Sequence, residues 1–231
     1  MTPPGVSHSP DAGRRKPVNV EREKRLSAEA AAGLVEDGMI VGLGTGSTVG
    51  YLLPALARRR LSISCVATSP RTKRAALELG LDVRPFDIVD HLDMTIDGAD
   101  QIAPDGWLVK GGGGAHTREK IVAAAASRFV VIGDSRKPVE VIRAPIPLEL
   151  LEFGLSATLR RLGPALVREA PKSPDGGILA DYHGDVGNPA RLSERLSATP
   201  GVVGHGLFPP ELVTEVLVGH GDSVERRTLR P

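Results

Sequence analysis

The sequence predicts an α/β protein: a mainly parallel sheet with helices on both faces, plus a smaller α+β unit inserted near its end. Three observations carry this. Strand-like and helix-like patterns alternate as far as Pro138, the rhythm that builds parallel sheets. The strand segments are short and apolar, as strands buried on both faces are. Beyond Pro138 the alternation gives way to a proline-rich stretch with a different spacing.

Taken in order, residues 21–37 place Leu26, Ala30, Gly33 and Leu34 on one face of an amphipathic helix that Gly38 ends. Met39-Ile40-Val41 is an apolar strand running into a loop at 42–47. Residues 49–60 read as a helix despite Pro54, and residues 61–66 alternate as a strand, with Leu61, Ile63 and Cys65 to one side. After the turn Thr68-Ser69-Pro70, residues 71–79 form a helix capped by Gly80, and 81–83 a strand. Met94-Thr95-Ile96 is a buried strand entering a turn at 97–100. An alanine-rich helix over 119–127 and a strand over 129–132 complete the alternating part. Then Pro138, Pro145, Pro147 and Pro164 bracket a helix over 149–162, followed by a strand over 177–182 and a helix over 189–196. After the Pro200-Gly201 turn, a strand over 213–218 returns the chain to the main sheet. The expected division is a disordered, proline-rich leader over 1–20, a main unit over 21–142 and 209–231, and the small unit over 143–208.

Composition narrows the function. The chain has 231 residues, 29 of them basic and 28 acidic, for a net charge of +1. That balance argues against a nucleic-acid or membrane-surface binder, which would carry a basic excess. Four Phe, two Tyr and one Trp are too few for base-stacking platforms. Glycine and proline make up about a fifth of the chain, against a usual share of roughly 12%, which points to many working loops. The single cysteine, Cys65, excludes an internal disulfide framework and a multi-thiolate zinc site, leaving a reducing, cytoplasmic compartment as the expectation. No apolar run is long enough for a signal peptide or a membrane span.

The chemistry concentrates in three segments. Gly42-Leu43-Gly44-Thr45-Gly46-Ser47-Thr48 lies between a strand and a helix, where backbone amides converge on an anion and hydroxyls add donors. A dinucleotide fingerprint would need glycine where Ser47 stands, and no Gly-Lys-Ser/Thr follows. The segment reads as a phosphate or sugar-phosphate loop, the alternative being a turn that only packs helix on sheet. Asp97-Gly98-Ala99-Asp100 sets two carboxylates where an apolar strand ends. They face a ligand crevice there, or serve a structural Asp-Gly turn. Neither Asp105 nor His116 completes a metal set. Lys110-Gly111-Gly112-Gly113-Gly114 costs backbone entropy that a plain connector would avoid. Glu119, in Thr117-Arg118-Glu119-Lys120, is either a first-turn carboxylate favoured by the helix dipole or a general base beside that loop. With 22 Arg and only 7 Lys in the chain, Lys110, Lys120 and Lys137 all fall in or near these segments. A compact ammonium suits point-charge stabilisation of an oxyanion or phosphate.

Together with Gly133-Asp134-Ser135-Arg136-Lys137, this ordered set resembles the ribose-5-phosphate isomerases of the A type. The resemblance runs from about Glu21 onward and includes Pro200-Gly201-Val202-Val203 and Gly206-Leu207-Phe208. It implies a Rossmann-like main domain with a smaller α+β domain, assembled as a homodimer or homotetramer. It also implies interconversion of ribose 5-phosphate and ribulose 5-phosphate in the non-oxidative pentose phosphate pathway, without metal or cofactor. By the same resemblance Glu119 is the proton acceptor, with Asp97, Asp100 and Lys110 catalytic beside it. Substrate contacts map onto Thr45, Gly46, Ser47 and Thr48; Asp97, Gly98, Ala99 and Asp100; Lys110, Gly111, Gly112 and Gly113; and Lys137. Lys24 matches a further lysine that reaches the phosphate. Three places depart from the family pattern: Gln101 for Glu, His116 for Leu, and Ser173-Pro174-Asp175-Gly176-Gly177 for Asp-Asn-Gly-Asn. A sugar-phosphate sensor is the non-enzyme rival. Such sensors carry a DNA-binding head, which the leader is too short and too proline-rich to form, and they tend to lose the base.

Overall fold

The computed structural model describes residues 19–230; the proline-rich stretch over 1–18 lies outside them, while Asn19 and Val20, expected in the leader, are the cap and the first residue of the first helix. Asn19 caps helix α1 (Val20–Ala32) by accepting from the Arg22 amide. Strand β1 (Ile40–Leu43) feeds helix α2 (Val49–Arg59), and β2 (Ser64–Ala67) feeds α3 (Pro70–Glu78). The Ser69 side chain caps α3 with Pro70 in its first turn. Strand β3 (Asp82–Val83), the long β4 (Leu92–Gly98) and two short strands, β5 (Gln101–Ile102) and β6 (Leu108–Val109), come next. Helix α4 (His116–Ala124) then leads into β7 (Ala126–Asp134).

Past β7 the chain builds β8 (Ile146–Leu150), α5 (Leu155–Leu162), β9 (Ala165–Val167), β10 (Ile178–Tyr182), α6 (Pro189–Ser197) and β11 (Val202–His205). Strand β12 (Leu207–Phe208) precedes a closing hairpin of β13 (Glu215–His220) and β14 (Ser223–Thr228). The main sheet runs β14-β13-β7-β4-β1-β2-β3, parallel except for β14. A four-stranded antiparallel sheet runs β11-β8-β10-β9, and a three-stranded one β12-β6-β5.

Both faces of the main sheet are covered, as its apolar strands require. Along β7, Val130 and Ile132 pack under α1 and α2 with Val41, Leu43 and Ile96. Their neighbours Phe129 and Val131 pack on the opposite side with Ala123 of α4 and Phe208. That alternation is the period-two pleat of a strand buried on both faces.

The structure corrects several expectations. The helix expected over 149–162 is β8, a loop, and then α5, which starts only after Gly154 turns the chain with positive φ. Ile146, Leu148 and Leu150 are the buried strand signal, interrupted by Pro147 and Glu149. The first helix stops at Ala32 rather than 37, and α4 runs from His116 to Ala124, since parallel pairing with β4 draws residues from Ala126 onward into β7. Asp97 and Gly98 belong to the end of β4, not to a free turn.

Candidate active site

In the main sheet β1 lies beside β4, with β2 and β3 on one flank and β7 and β13 on the other. Chain direction therefore diverges between β1 and β4, which is where a crevice opens beyond the strand ends. The expected site residues sit there. Thr45–Thr48 follow β1, the 97–100 segment ends β4, Lys137 follows β7, and Glu119 stands in the first turn of α4.

A cavity of about 300 Å³ is lined by Thr45, Gly46, Ser47 and Thr48 on one wall and by Gly98, Ala99 and Asp100 on another. Lys110, Gly111, Gly112, Gly113, Glu119 and Lys137 line the rest. Asp97 stands behind that wall, 1% exposed. Its Oδ1 accepts from the Thr45 amide at 3.1 Å and the Gly98 amide at 2.7 Å, while Oδ2 lies 2.8 Å from Lys110 Nζ. A Cβ at Gly44 would stand 1.9 Å from the Asp97 carboxyl carbon, so glycine is what lets the loop close on this carboxylate.

Lys110 Nζ also lies 3.0 Å from Glu119 Oε2 and donates to the Gly98 carbonyl. Asp97, Glu119 and the Gly98 carbonyl thus surround the ammonium, which makes Lys110 a fixed point charge. The paired oxygen of Glu119 has no aligned hydrogen-bond donor among the described residues. Burial, then the charge of Asp97, pushes the Glu119 carboxyl above the ordinary carboxylate range against the opposing pull of Lys110. Burial likewise raises Asp97, with Lys110 opposing. Burial would depress Lys110, but the two carboxylates outweigh it and hold its pKa above the usual value. Two acids on one ammonium favour a shared proton, the arrangement that separates a base from an acid.

The phosphate-loop half is braced from α3. Thr45 Oγ1 meets Thr68 Oγ1 at 2.9 Å, and Thr72 Oγ1 donates to the Gly44 carbonyl at 2.9 Å. The Ser47 and Thr48 hydroxyls and the amides of Gly46, Ser47 and Thr48 make no hydrogen bond among the described residues. They are orphan donors at the start of α2, the positive end of its dipole. The turn that carries Lys137 is anchored two residues earlier by Glu23, a buried residue of α1 that accepts from the Ser135 amide and hydroxyl at 3.0 and 2.7 Å and from the Gly221 amide at 2.8 Å.

Lys24 does not line the cavity; it lies buried in α1 with its Nζ 2.7 Å from Glu21. One lining residue escaped the sequence reading: Arg71, in the first turn of α3. The available signal was a cation at a helix N-terminus, where the dipole disfavours it. His116, 0% exposed with both ring nitrogens without a hydrogen-bond partner among the described residues, is pushed down to about 3 by burial and then by Lys120, so it is neutral packing beneath Gly111. A larger cavity of about 680 Å³ opens on another face of α4, beside Thr117, Arg118 and Ile121. Two of its lining charges, Arg118 and Asp175, pair with each other, and it lacks the anion loop and the Lys110–Glu119 pair that line the smaller cavity, so the smaller cavity is the chemical one. Among the described residues no group of three or more His, Cys, Asp or Glu could hold a metal ion.

A Rossmann-like sheet with an anion loop and a buried acid–ammonium–acid set at its switch point defines an acid–base enzyme for a small phosphorylated substrate. The profile of ribose 5-phosphate isomerase A (phosphoriboisomerase A) matches residues 64–223. Ribose-5-phosphate isomerase A of Caulobacter sp. (strain K31) is 42% identical over 222 residues, covering 90% of this chain and 98% of its own. A crystal structure of ribose 5-phosphate isomerase A from Neisseria gonorrhoeae superposes with a TM-score of 0.88 at 29% identity, covering 93% of this chain and 100% of its own. A D-ribose-5-phosphate isomerase in complex with phospho-erythronic acid superposes with a TM-score of 0.86 at 32% identity, covering 91% and 99%. The chain belongs to the ribose 5-phosphate isomerase A family.

Proposed function

We propose that this protein interconverts D-ribose 5-phosphate and D-ribulose 5-phosphate by moving a proton between C2 and C1 through an enediol, in the non-oxidative pentose phosphate pathway. The observation that carries the reading is Glu119 and Asp97 gripping one buried Lys110 at 3.0 and 2.8 Å beside an anion loop. Glu119 takes the C2 proton and returns it to C1. The Lys110 charge and the free amides of the glycine loop stabilise the oxygen that becomes negative, a contribution on the order of 3 kcal/mol per donor. Asp97 exchanges protons with the sugar oxygens as the furanose ring opens, and Asp100 orients the sugar.

The phosphate rests on the amides and hydroxyls of Gly46–Thr48 with Lys137 opposite, supplying remote binding energy that sets C1 and C2 over Glu119. Lys24 reaches that phosphate if its pair with Glu21 opens. The phospho-erythronic acid bound by the relative has a phosphate and a carboxylate that suit these two poles. No step calls on a metal or cofactor. The chain divides into a catalytic unit (21–142 with 209–231) and a small α+β unit (143–208), and it acts in the cytoplasm as a homodimer or homotetramer. The almost fully exposed Phe153 supports a partner copy. Among the described residues no helix is long and apolar enough to cross a membrane.

Incubation with ribose 5-phosphate in heavy water tests the reaction and its base together. Wild-type protein should form ribulose 5-phosphate and wash out the C2 hydrogen. Glu119→Gln should lower kcat by roughly a hundred- to ten-thousand-fold with little change in substrate affinity. Exchange at a normal rate in that variant would move the base elsewhere, with Asp97 next in line.

A further inference from the structure

We infer that Arg168 is a positioning residue that fixes the glycine loop and Asp100 from the small sheet through a single peptide unit; its catalytic consequence rests on the isomerase reading above. Arg168 directly follows β9 and is pinned by Asp181 of β10, with Nε 2.7 Å from Oδ2 and Nη2 2.6 Å from Oδ1. Its remaining nitrogen, Nη1, donates to the Gly111 carbonyl at 2.8 Å. The amide of the same peptide unit, Gly112 N–H, donates to Asp100 Oδ2 at 2.8 Å. In a trans peptide the C=O and N–H point to opposite sides, so Arg168 and Asp100 hold one plane from both edges.

The Gly114 amide also reaches the Gly111 carbonyl, at 3.1 Å, in a turn within the loop, and Arg168 adds the restraint from outside it. The peptide lies between two glycines, and Gly111 has φ +116°, a conformation other residues rarely adopt. Glycine backbone has little preference of its own for one orientation. Rotation of the plane would withdraw the Gly112 amide from Asp100, the only hydrogen bond that this carboxylate makes among the described residues. It would also re-aim the Gly113 amide, which makes no hydrogen bond among the described residues and lines the cavity. The guanidinium further polarises the peptide it holds, strengthening Gly112 N–H as a donor. Arg168 does not line the cavity, so it acts through the loop and not on the sugar.

Two measurements test the clamp, one of them independent of turnover. Amide hydrogen exchange followed by NMR should show Gly112 exchanging faster in Arg168→Met than in wild type, with the β7 amides unchanged. Equal Gly112 exchange in the two proteins overturns the clamp whatever the activity. In kinetics with ribose 5-phosphate, Arg168→Met should lower kcat by about 10- to 100-fold, the scale of a misplacement of about 1 Å. Inhibition by inorganic phosphate should stay unchanged, because the Gly46–Thr48 loop is untouched. In an Asp100→Asn background the kcat effect of Arg168→Met should shrink; a full additive effect there overturns the route through Asp100. If Arg168→Met does not fold, Asp181→Asn leaves the arginine present but unpinned and should shift exchange and kcat the same way. Wild-type protein inert toward ribose 5-phosphate would sink the isomerase reading alone, and the exchange experiment would still decide the clamp.

Discussion

At the residue scale, the arrangement to explain is one ammonium between two carboxylates that are each at most 3% exposed. Glu119 must be ionised to accept a proton, and burial plus the Asp97 charge make that harder. The acid limb of kcat/KM should therefore lie above the range of a free glutamate, about 4.3. Asp97→Asn removes the like charge and leaves Lys110 wholly to Glu119, so the Glu119 titration should move to lower pH. A 13C NMR titration of the Glu119 carboxyl reads this directly, and an unmoved curve would mean that the two acids are not coupled. Stability follows the same sign. A carboxyl whose folded pKa is raised contributes stability that is present below its unfolded pKa and is lost as pH rises through the folded value. Thermal melts should show wild type losing ground to Glu119→Gln across that interval, and parallel melting curves would argue against the buried charge.

At the scale of elements, helix α4, which carries Glu119, is tied to the small sheet by a residue whose position the sequence misled about. Glu149, expected at the start of a helix, is mid-strand in β8 and 1% exposed, accepting from the hydroxyls of Thr117 and Ser173. Arg118 adds an ion pair to Asp175, so the departing segment Ser173–Gly177 is the seat of α4. Glu149→Leu would leave both hydroxyls without this acceptor, at about 1–3 kcal/mol for the buried Ser173 hydroxyl. Melting should fall by several degrees and kcat should drop as Glu119 loses its register; an unchanged melt would show that the anchor is dispensable. The helices and strands around β1, β4 and β7 were legible because their apolar spacing and glycine punctuation are local signals. Strands β5, β6 and β12, at two residues each, are too short to show a period, β6 and β12 meet only across a long stretch of chain, and β14 is a charged edge strand with little apolar pattern. Within the site the motifs announced Asp97, Lys110 and Glu119, but not that all three meet at one nitrogen. Arg71 and Arg168, two of 22 arginines, carried too little local signal to stand out.

For the whole molecule, the small sheet reaches back to the cavity through Arg168 and Glu149 while presenting an apolar surface outward. On the loop between β8 and α5, Phe153 is 94% exposed and Leu151 is 52% exposed. Burying a phenylalanine ring gains about 1.5–3 kcal/mol over leaving it in water, so a bare one beside a second large apolar residue favours a covering partner. A second copy of the chain meets that need most simply through a two-fold contact, in which the same patch serves on both sides. Sedimentation equilibrium should then give wild-type protein a mass that is a multiple of 24.3 kDa. Phe153→Ser should shift the distribution toward the smaller species at equal concentration, leaving the melting of the main sheet intact. A wild-type monomer at micromolar concentration would rule out the assembly. An oligomer that Phe153→Ser leaves undisturbed would instead place the contact elsewhere on the surface, with the exposed Leu166 and Val167 of edge strand β9 the next residues to substitute.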